Sequence, residues 1–334
     1  MACNVVRYQY KDQHKGLNKE THSVFWGIHR DGIYPISGSY ATTARFIEEG
    51  KQQAFALLEE LQNPMKNGSH TKISLDTVDI LPPITNPCQV LCQGANYRQH
   101  MIESGMNPDD KKFNMIFNKS AASITSHNGN IVRPEHVKLL DYEIELGLVI
   151  GTSVTQATAV SDDNLHRFVA AIVIGNDVSA RDIQIPQMQF FKGKSYRTFC
   201  PVGPYLCLLE PDDFTYLSQL NLLLTVNGET RQQDSTANLV FKPAETLTEL
   251  SQIADLNMGD LILTGTPAGC AMRAPSARMQ RLGGLLKESK KWQIFNKMQA
   301  KRTQYLQPGD IVESRIFSAD DHINLGVQRN LVIG

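Results

Sequence analysis

LLDYEIELGLVIG, residues 139–151, is the stretch on which the fold turns. Its residues are mostly β-formers, and alternation along a strand puts Glu143, Glu145 and Gly147 on one face. Ile144, Leu146, Leu148 and Ile150 then share the other face and can pack in a core. Two ionised glutamates side by side repel and are costly to bury in an apolar strand. A hard divalent cation between them removes both objections, because every donor is oxygen. Taken alone, such a pair is more often a solvent-facing polar edge.

The next informative stretch is FVAAIVIGNDVSARDIQ, residues 168–184. It is an apolar run that ends at Gly175-Asn176 and meets Asp177 at once. An acid at the exit of a buried strand adds a third carboxylate to the pair. With water, Glu143, Glu145 and Asp177 can give Mg²⁺ or Mn²⁺ octahedral geometry, whereas zinc usually takes a histidine or thiol. Asp182 is a weaker candidate that can instead cap a turn or pair with Arg181.

Working outward, QVLCQGANYRQHMIESG (residues 89–105) reads as a strand, a Gly-Ala-Asn turn and a helix around His100. His100 and Glu103 share a helical face at this spacing. A carboxylate beside imidazole orients the ring and favours its charged form, which suits a general base. A surface pair is the plainer reading. In FFKGKSYRTFCPVGP, Lys194 can pair with a substrate carboxylate or steady an enolate, and Lys192 competes for the role. Thr266, in LILTGTPAG, can bind a carboxylate through its hydroxyl. A phosphate loop is excluded because no GKS or GKT follows that turn, and no dinucleotide fingerprint is present.

The remaining chain is read as α+β and rich in strands. Residues 5–36 predict short strands, 42–62 a helix ended by Asn63-Pro64, and 75–87 a strand running into a proline-rich connector. The first 80 residues form a small N-terminal α+β unit in this reading, and 81–334 the catalytic unit. A helix is expected over about 157–168, and mostly short strands from there to about 267. NLLLTVNGETRQ predicts a hairpin turning at Asn227-Gly228. NMGDLILTGTP and QPGDIVESRI each place Gly-Asp ahead of a strand. A basic insert spans about 271–307. From Arg273 to Arg302 it carries nine Lys or Arg and one acid, Glu288. Leu282, Leu285, Leu286, Trp292, Phe295 and Met298 recur there at roughly helical spacing, which predicts one or two amphipathic helices.

Charge is balanced, with 33 basic and 34 acidic residues, so the whole chain does not announce a nucleic-acid partner. The insert has charge but no aromatic interleaving for stacking bases. No apolar run reaches membrane-spanning length, and the start lacks a signal peptide's apolar core, so a cytoplasmic protein off the membrane is expected. The six cysteines form no CxxC pair and read as free thiols.

Seven stretches in this order, QGANYRQHMIE, DYEIELGLVIG, GNDVSARDIQ, KGKSYRTFCPVGP, VNGETRQ, GDLILTGTPAG and LQPGDIVESRI, resemble the fumarylacetoacetate hydrolase family over about residues 90–330. The resemblance implies a mixed β-roll, usually homodimeric, with a small N-terminal accessory domain in some members. It implies Mg²⁺, Mn²⁺ or Ca²⁺ on Glu143, Glu145 and Asp177, and water activated by His100 with Glu103. Arg181, Gln184, Lys194 and Thr266 match residues around the substrate and oxyanion. One departure is that Gln93-Gly94-Ala95-Asn96 lacks the acid that the mammalian-type hydrolases place before their histidine. The insert also exceeds the usual connector. The first expectation is therefore metal-dependent C–C hydrolysis of an acylpyruvate-like or other diketo acid. The alternative is tautomerisation, isomerisation, decarboxylation or hydratase/lyase chemistry on a related 2-oxo or hydroxy-dienoic acid through a metal-held enolate. A catalytically silent binding protein on the same scaffold is the third reading.

Overall fold

The computed structural model describes residues 2–11, 23–63, 70–110, 112–275, 279 and 284–334. Its centre is a mixed twelve-stranded sheet. The main path runs Ile33–Pro35, Phe25–His29, Cys3–Tyr10, Leu206–Leu208, Val169–Asn176, Ile144–Ile150, Leu261–Leu263, Val90–Gly94 and Met115–Lys119. Strand Cys3–Tyr10 thus joins the strands before residue 81 to those beyond it, pairing Cys3 with Leu208 and Val5 with Leu206. A five-stranded sheet packs nearby, in the order Glu229–Ser235, Asn221–Val226, Ile311–Phe317, Asn324–Ile333 and Ile131–Val132. The α+β, strand-rich class and the β-roll are as the sequence and the resemblance imply.

The strand that carries Glu145, Ile144–Ile150, is buried from end to end. Its alternation holds: Leu146 and Leu148 face one core cluster, while Val149 packs in another with Val173 and Leu263. The expected single strand is broken, however. Leu140–Asp141 pairs with Ser179–Ala180, and the main strand starts only at Ile144. Side chains take over the ladder at the break. Glu143 N–H donates to Asn176 Oδ1 at 3.0 Å, and Ile144 N–H donates to Gln232 Oε1 at 3.0 Å.

The hairpin turns at Asn227 and Gly228, with φ of 53° and 80°. Two consecutive positive φ values are what a two-residue turn of the strands' own twist requires. Both Gly-Asp loops share one device. Asp260 accepts from Asn257 N–H and Gln89 N–H, and Asp310 accepts from Gln307 N–H and the Asn227 amide.

Two expectations need correction. No helix spans 157–168; only a short turn, Leu165–Arg167, is helical. Thr158 N–H and Val160 N–H instead donate to Ser251 and Thr248 on a neighbouring helix, at 2.9 Å each. That helix, Pro243–Ile253, lies where strands were expected, as do Arg181–Gln187 and Phe190–Lys194. Proline opens Pro243–Ile253 and Glu245 accepts from Lys242 N–H, a start signal overlooked in favour of the surrounding strand pattern. Within the insert, one helix, Glu288–Gln299, is described and buries Phe295. Leu282 lies outside the described residues, and Leu285 is exposed. No helix among the described residues is long and apolar enough to cross a membrane.

Candidate metal centre

Glu143, Glu145 and Asp177 converge, with one ligand atom of each within 4.8 Å of the others. The antiparallel register explains it. Glu145 stands opposite Gly175, and Asp177 N–H donates to Glu143 O at 2.8 Å just beyond the paired strands. All three acids are buried.

The cluster has built-in counter-charge. Lys194 Nζ donates to Glu143 Oε2 at 2.7 Å and to Asp177 Oδ2 at 2.5 Å. Lys119 Nζ donates to Asp177 Oδ1 at 2.5 Å. Arg181 pairs with Glu143 Oε1, and its Nε reaches Asp141 Oδ2 at 2.9 Å. Burial pushes the Glu143 carboxyl up, but Arg181 and Lys194 outweigh it and hold it well below the usual carboxylate range. Burial lowers Lys194, yet Asp177 and Glu143 leave it above the ordinary lysine value.

Glu145 differs. Burial raises its carboxyl well above the usual range, and Asp177 and Glu143 push the same way. Its Oε2 accepts from Gly265 N–H at 2.7 Å, while Oε1 has no hydrogen-bond partner among the described residues. Gly265 must be glycine: its φ is +91°, and an added Cβ would meet Asn96 Cβ at 2.7 Å. A buried carboxylate oxygen facing two other acids calls for a proton or a cation. The residues therefore fit a divalent ion, and this buried acidic cluster can chelate one. The donors are all oxygen, which suits a hard ion.

The other sequence candidates lie around this cluster. Lys194 is buried, whereas Lys192 is exposed and bonds Gln187. Gln184 is buried and accepts from Arg181 Nη1 at 2.8 Å. Thr266 Oγ1 accepts from Gln232 at 2.8 Å, leaving its own proton to donate. Asp182 does not pair with Arg181; it accepts from Lys138 N–H at 2.7 Å. His100 and Glu103 share the short helix Arg98–Glu103. No hydrogen bond joins them among the described residues, and the expected rise in imidazole pKa is reversed. Burial lowers the His100 ring's pKa more than Glu143 and Glu103 raise it, so the neutral form is favoured. A cavity of about 370 Å³ opens beside this helix, lined by Gly94, Ala95, Met101, Met106, Phe113, Met115 and Phe241. None of the three acids lines it.

Sequence reasoning missed Lys119, Asp141 and Tyr97. Lys119 ends the strand MIFNK, where a lysine reads as a solvent-facing terminus, yet it is 1% exposed. Asp141 stands two residues before Glu143, and that spacing was the available signal. The Tyr97 hydroxyl is buried without a partner among the described residues.

Fold and site together define an enzyme built on a β-roll around a carboxylate centre. The chain belongs to the fumarylacetoacetate hydrolase family: the model described as fumarylacetoacetate (FAA) hydrolase C-terminal matches residues 89–333. The chain is 37% identical over 232 residues to oxaloacetate tautomerase YisK of Bacillus subtilis, covering 67% of this chain and 72% of that one. It is 35% identical over 230 residues to the mitochondrial oxaloacetate tautomerase FAHD2A of Bos taurus, covering 68% and 69%. Among solved structures, the fumarylacetoacetate hydrolase of psychrophilic Exiguobacterium antarcticum superposes with a TM-score of 0.67 at 26% identity, over 99% of both chains.

Proposed function

We propose that this enzyme interconverts the keto and enol forms of a short 2-oxo dicarboxylic acid of the oxaloacetate class. The observation that carries this reading is the trio Glu143, Glu145 and Asp177, with Glu145 Oε1 unpartnered among the described residues and the Lys194 ammonium held on Glu143 and Asp177. The two tautomerase relatives support it over the C–C hydrolysis expected first.

A divalent ion, Mg²⁺ or Mn²⁺, held by the three carboxylates would polarise the 2-oxo group and favour enolisation. Lys194 then faces the oxygen on which negative charge develops, with its charge secured by Glu143 and Asp177. Arg181 and the Thr266 hydroxyl orient the substrate's carboxylates, and Gln184 fixes the Arg181 fork. The neutral His100 ring takes the proton from the carbon beside the 2-oxo group, and the imidazolium so formed gives that proton up to the enolate oxygen, which completes the enol and restores the neutral ring. Burial of Arg181, Gln184, Lys194 and Thr266 limits water access, which favours proton shuffling over water attack.

The test is proton NMR in D₂O with Mn²⁺-free, Mg²⁺-loaded protein. A tautomerase exchanges the C3 protons of oxaloacetate and leaves the carbon chain whole. Cleavage of an acylpyruvate into two acids, with no acceleration of oxaloacetate exchange, would return the reading to C–C hydrolysis.

A further inference from the structure

Asp141 is fully buried, stands outside the acid trio, and has four hydrogen-bond donors. Its Oδ1 accepts from Tyr142 N–H at 2.9 Å and Ala271 N–H at 2.7 Å. Its Oδ2 accepts from Met272 N–H at 3.0 Å and Arg181 Nε at 2.9 Å. One carboxylate therefore holds two different things. On one side is Arg181, whose outer nitrogens grip Glu143 and Gln184. On the other is the first turn of backbone of the basic insert.

That root is also tied to the far end of the insert. Arg302 Nε donates to Ala271 O at 2.6 Å, and Gln299 donates to Arg273 O at 2.8 Å. Tyr305 in turn donates to Gln299 Oε1 at 2.8 Å. The root also touches the site, since Cys270 Sγ lies 4.0 Å from Glu143 Oε1. Rotation or withdrawal of the 271–272 backbone would strip Asp141 of two charge-assisted donors. Its charge would then be left to Tyr142 N–H and to Arg181, whose fork is shared with Glu143.

We infer that Asp141 is a positioning residue that makes the docking of the insert and the orientation of the metal-ligating Glu143 one coupled arrangement. The root of the insert is thus part of the scaffold that orients the site. This rests on the metal reading proposed above for Glu143, Glu145 and Asp177.

Two variants test it in the full chain, Asp141→Asn and Arg302→Gln. Arg302 is half-buried and touches none of the acids, so its replacement loosens the insert without altering the ligands. The readouts are Mn²⁺ affinity by calorimetry and amide exchange at Ala271, Met272 and Arg181. Asp141→Asn is expected to weaken Mn²⁺ binding by at least about tenfold, the usual cost of losing an outer partner of a ligand. Arg302→Gln is expected to weaken it by about threefold or more and to speed exchange at both Ala271 and Arg181. Faster exchange in the insert of Arg302→Gln, with Mn²⁺ affinity and the Arg181 amide unchanged, would overturn the coupling. So would wild-type Mn²⁺ affinity in Asp141→Asn. Should Asp141→Asn fail to fold, Arg302→Gln alone decides. Should the wild-type chain bind no Mn²⁺, the metal reading falls, and exchange at Arg181 in Arg302→Gln still decides whether insert and site are joined.

Discussion

Two buried polar regions of this molecule meet the cost of burial in opposite ways. At the end of the large sheet, Asp141, Glu143 and Asp177 are matched against Lys119, Arg181 and Lys194, while Glu145 accepts from Gly265 N–H. Beneath the five-stranded sheet the work is done by neutral amides. Gln328 donates to Gly203 O at 3.2 Å, and Asn330 donates to Gly129 O at 2.7 Å and Ser126 O at 3.2 Å. Among the described residues both regions leave oxygens unpartnered, Glu145 Oε1 in the first and Gln328 Oε1 and Asn330 Oδ1 in the second. The same omission has different consequences. A bare amide carbonyl costs roughly 1–3 kcal/mol and can simply be borne. A bare carboxylate oxygen among like charges costs far more, and must be relieved by a proton or a cation. The charged region is therefore open to a ligand in a way the neutral region is not.

Glu145→Gln breaks the contrast most sharply, by turning the charged region neutral at its open point. Mn²⁺ binding and Mg²⁺-dependent turnover should fall by about 10³-fold or more, as expected when a metal ligand and its electrostatic role are both removed. Urea midpoints of the metal-free protein should hold or rise, because an uncompensated buried acid has gone. Retained metal binding would show that the trio is not the chelating set. Lys119→Met is next: it leaves Asp177 with Lys194 as its remaining ammonium partner. Loss of one partner of a buried pair typically costs about 3–5 kcal/mol, read by urea unfolding. A loss below about 1 kcal/mol would place this pair with weak surface pairs instead.

The smallest effect belongs to the neutral region. His127, whose carbonyl accepts from Arg329 N–H at 2.7 Å, has its imidazole pKa lowered by burial to about 4. The unfolded chain takes up that proton near pH 6.5 and the folded chain only near 4. Stability from this group is complete above pH 6.5 and is lost as pH falls toward 4. His127→Gln should therefore flatten the decline in urea midpoint between pH 7 and pH 5. An unchanged slope would remove His127 from the account.

The sequence discloses these regions unequally. Alternation in DYEIELGLVIG and the abrupt stop of AIVIGND expose the three acids, since period and charge conflict visibly there. Asn227-Gly228 and the two Gly-Asp loops are equally legible, because their residue types are required by local backbone geometry. Lys119 is hidden because only a partner fifty-eight residues away, Asp177, explains it. The order at 157–168 is likewise hidden: its backbone is claimed by Thr248 and Ser251 of a helix far along the chain. The neutral amides give no signal at all, since nothing in QRN or VQR distinguishes a buried glutamine from an exposed one.

The pairing of Cys3–Tyr10 with Leu206–Leu208 carries a practical corollary. Clipping the chain near residue 81 would not release a tidy remainder. It would bare the hydrogen-bonding rim of a buried leucine-rich strand, and such rims stick to one another.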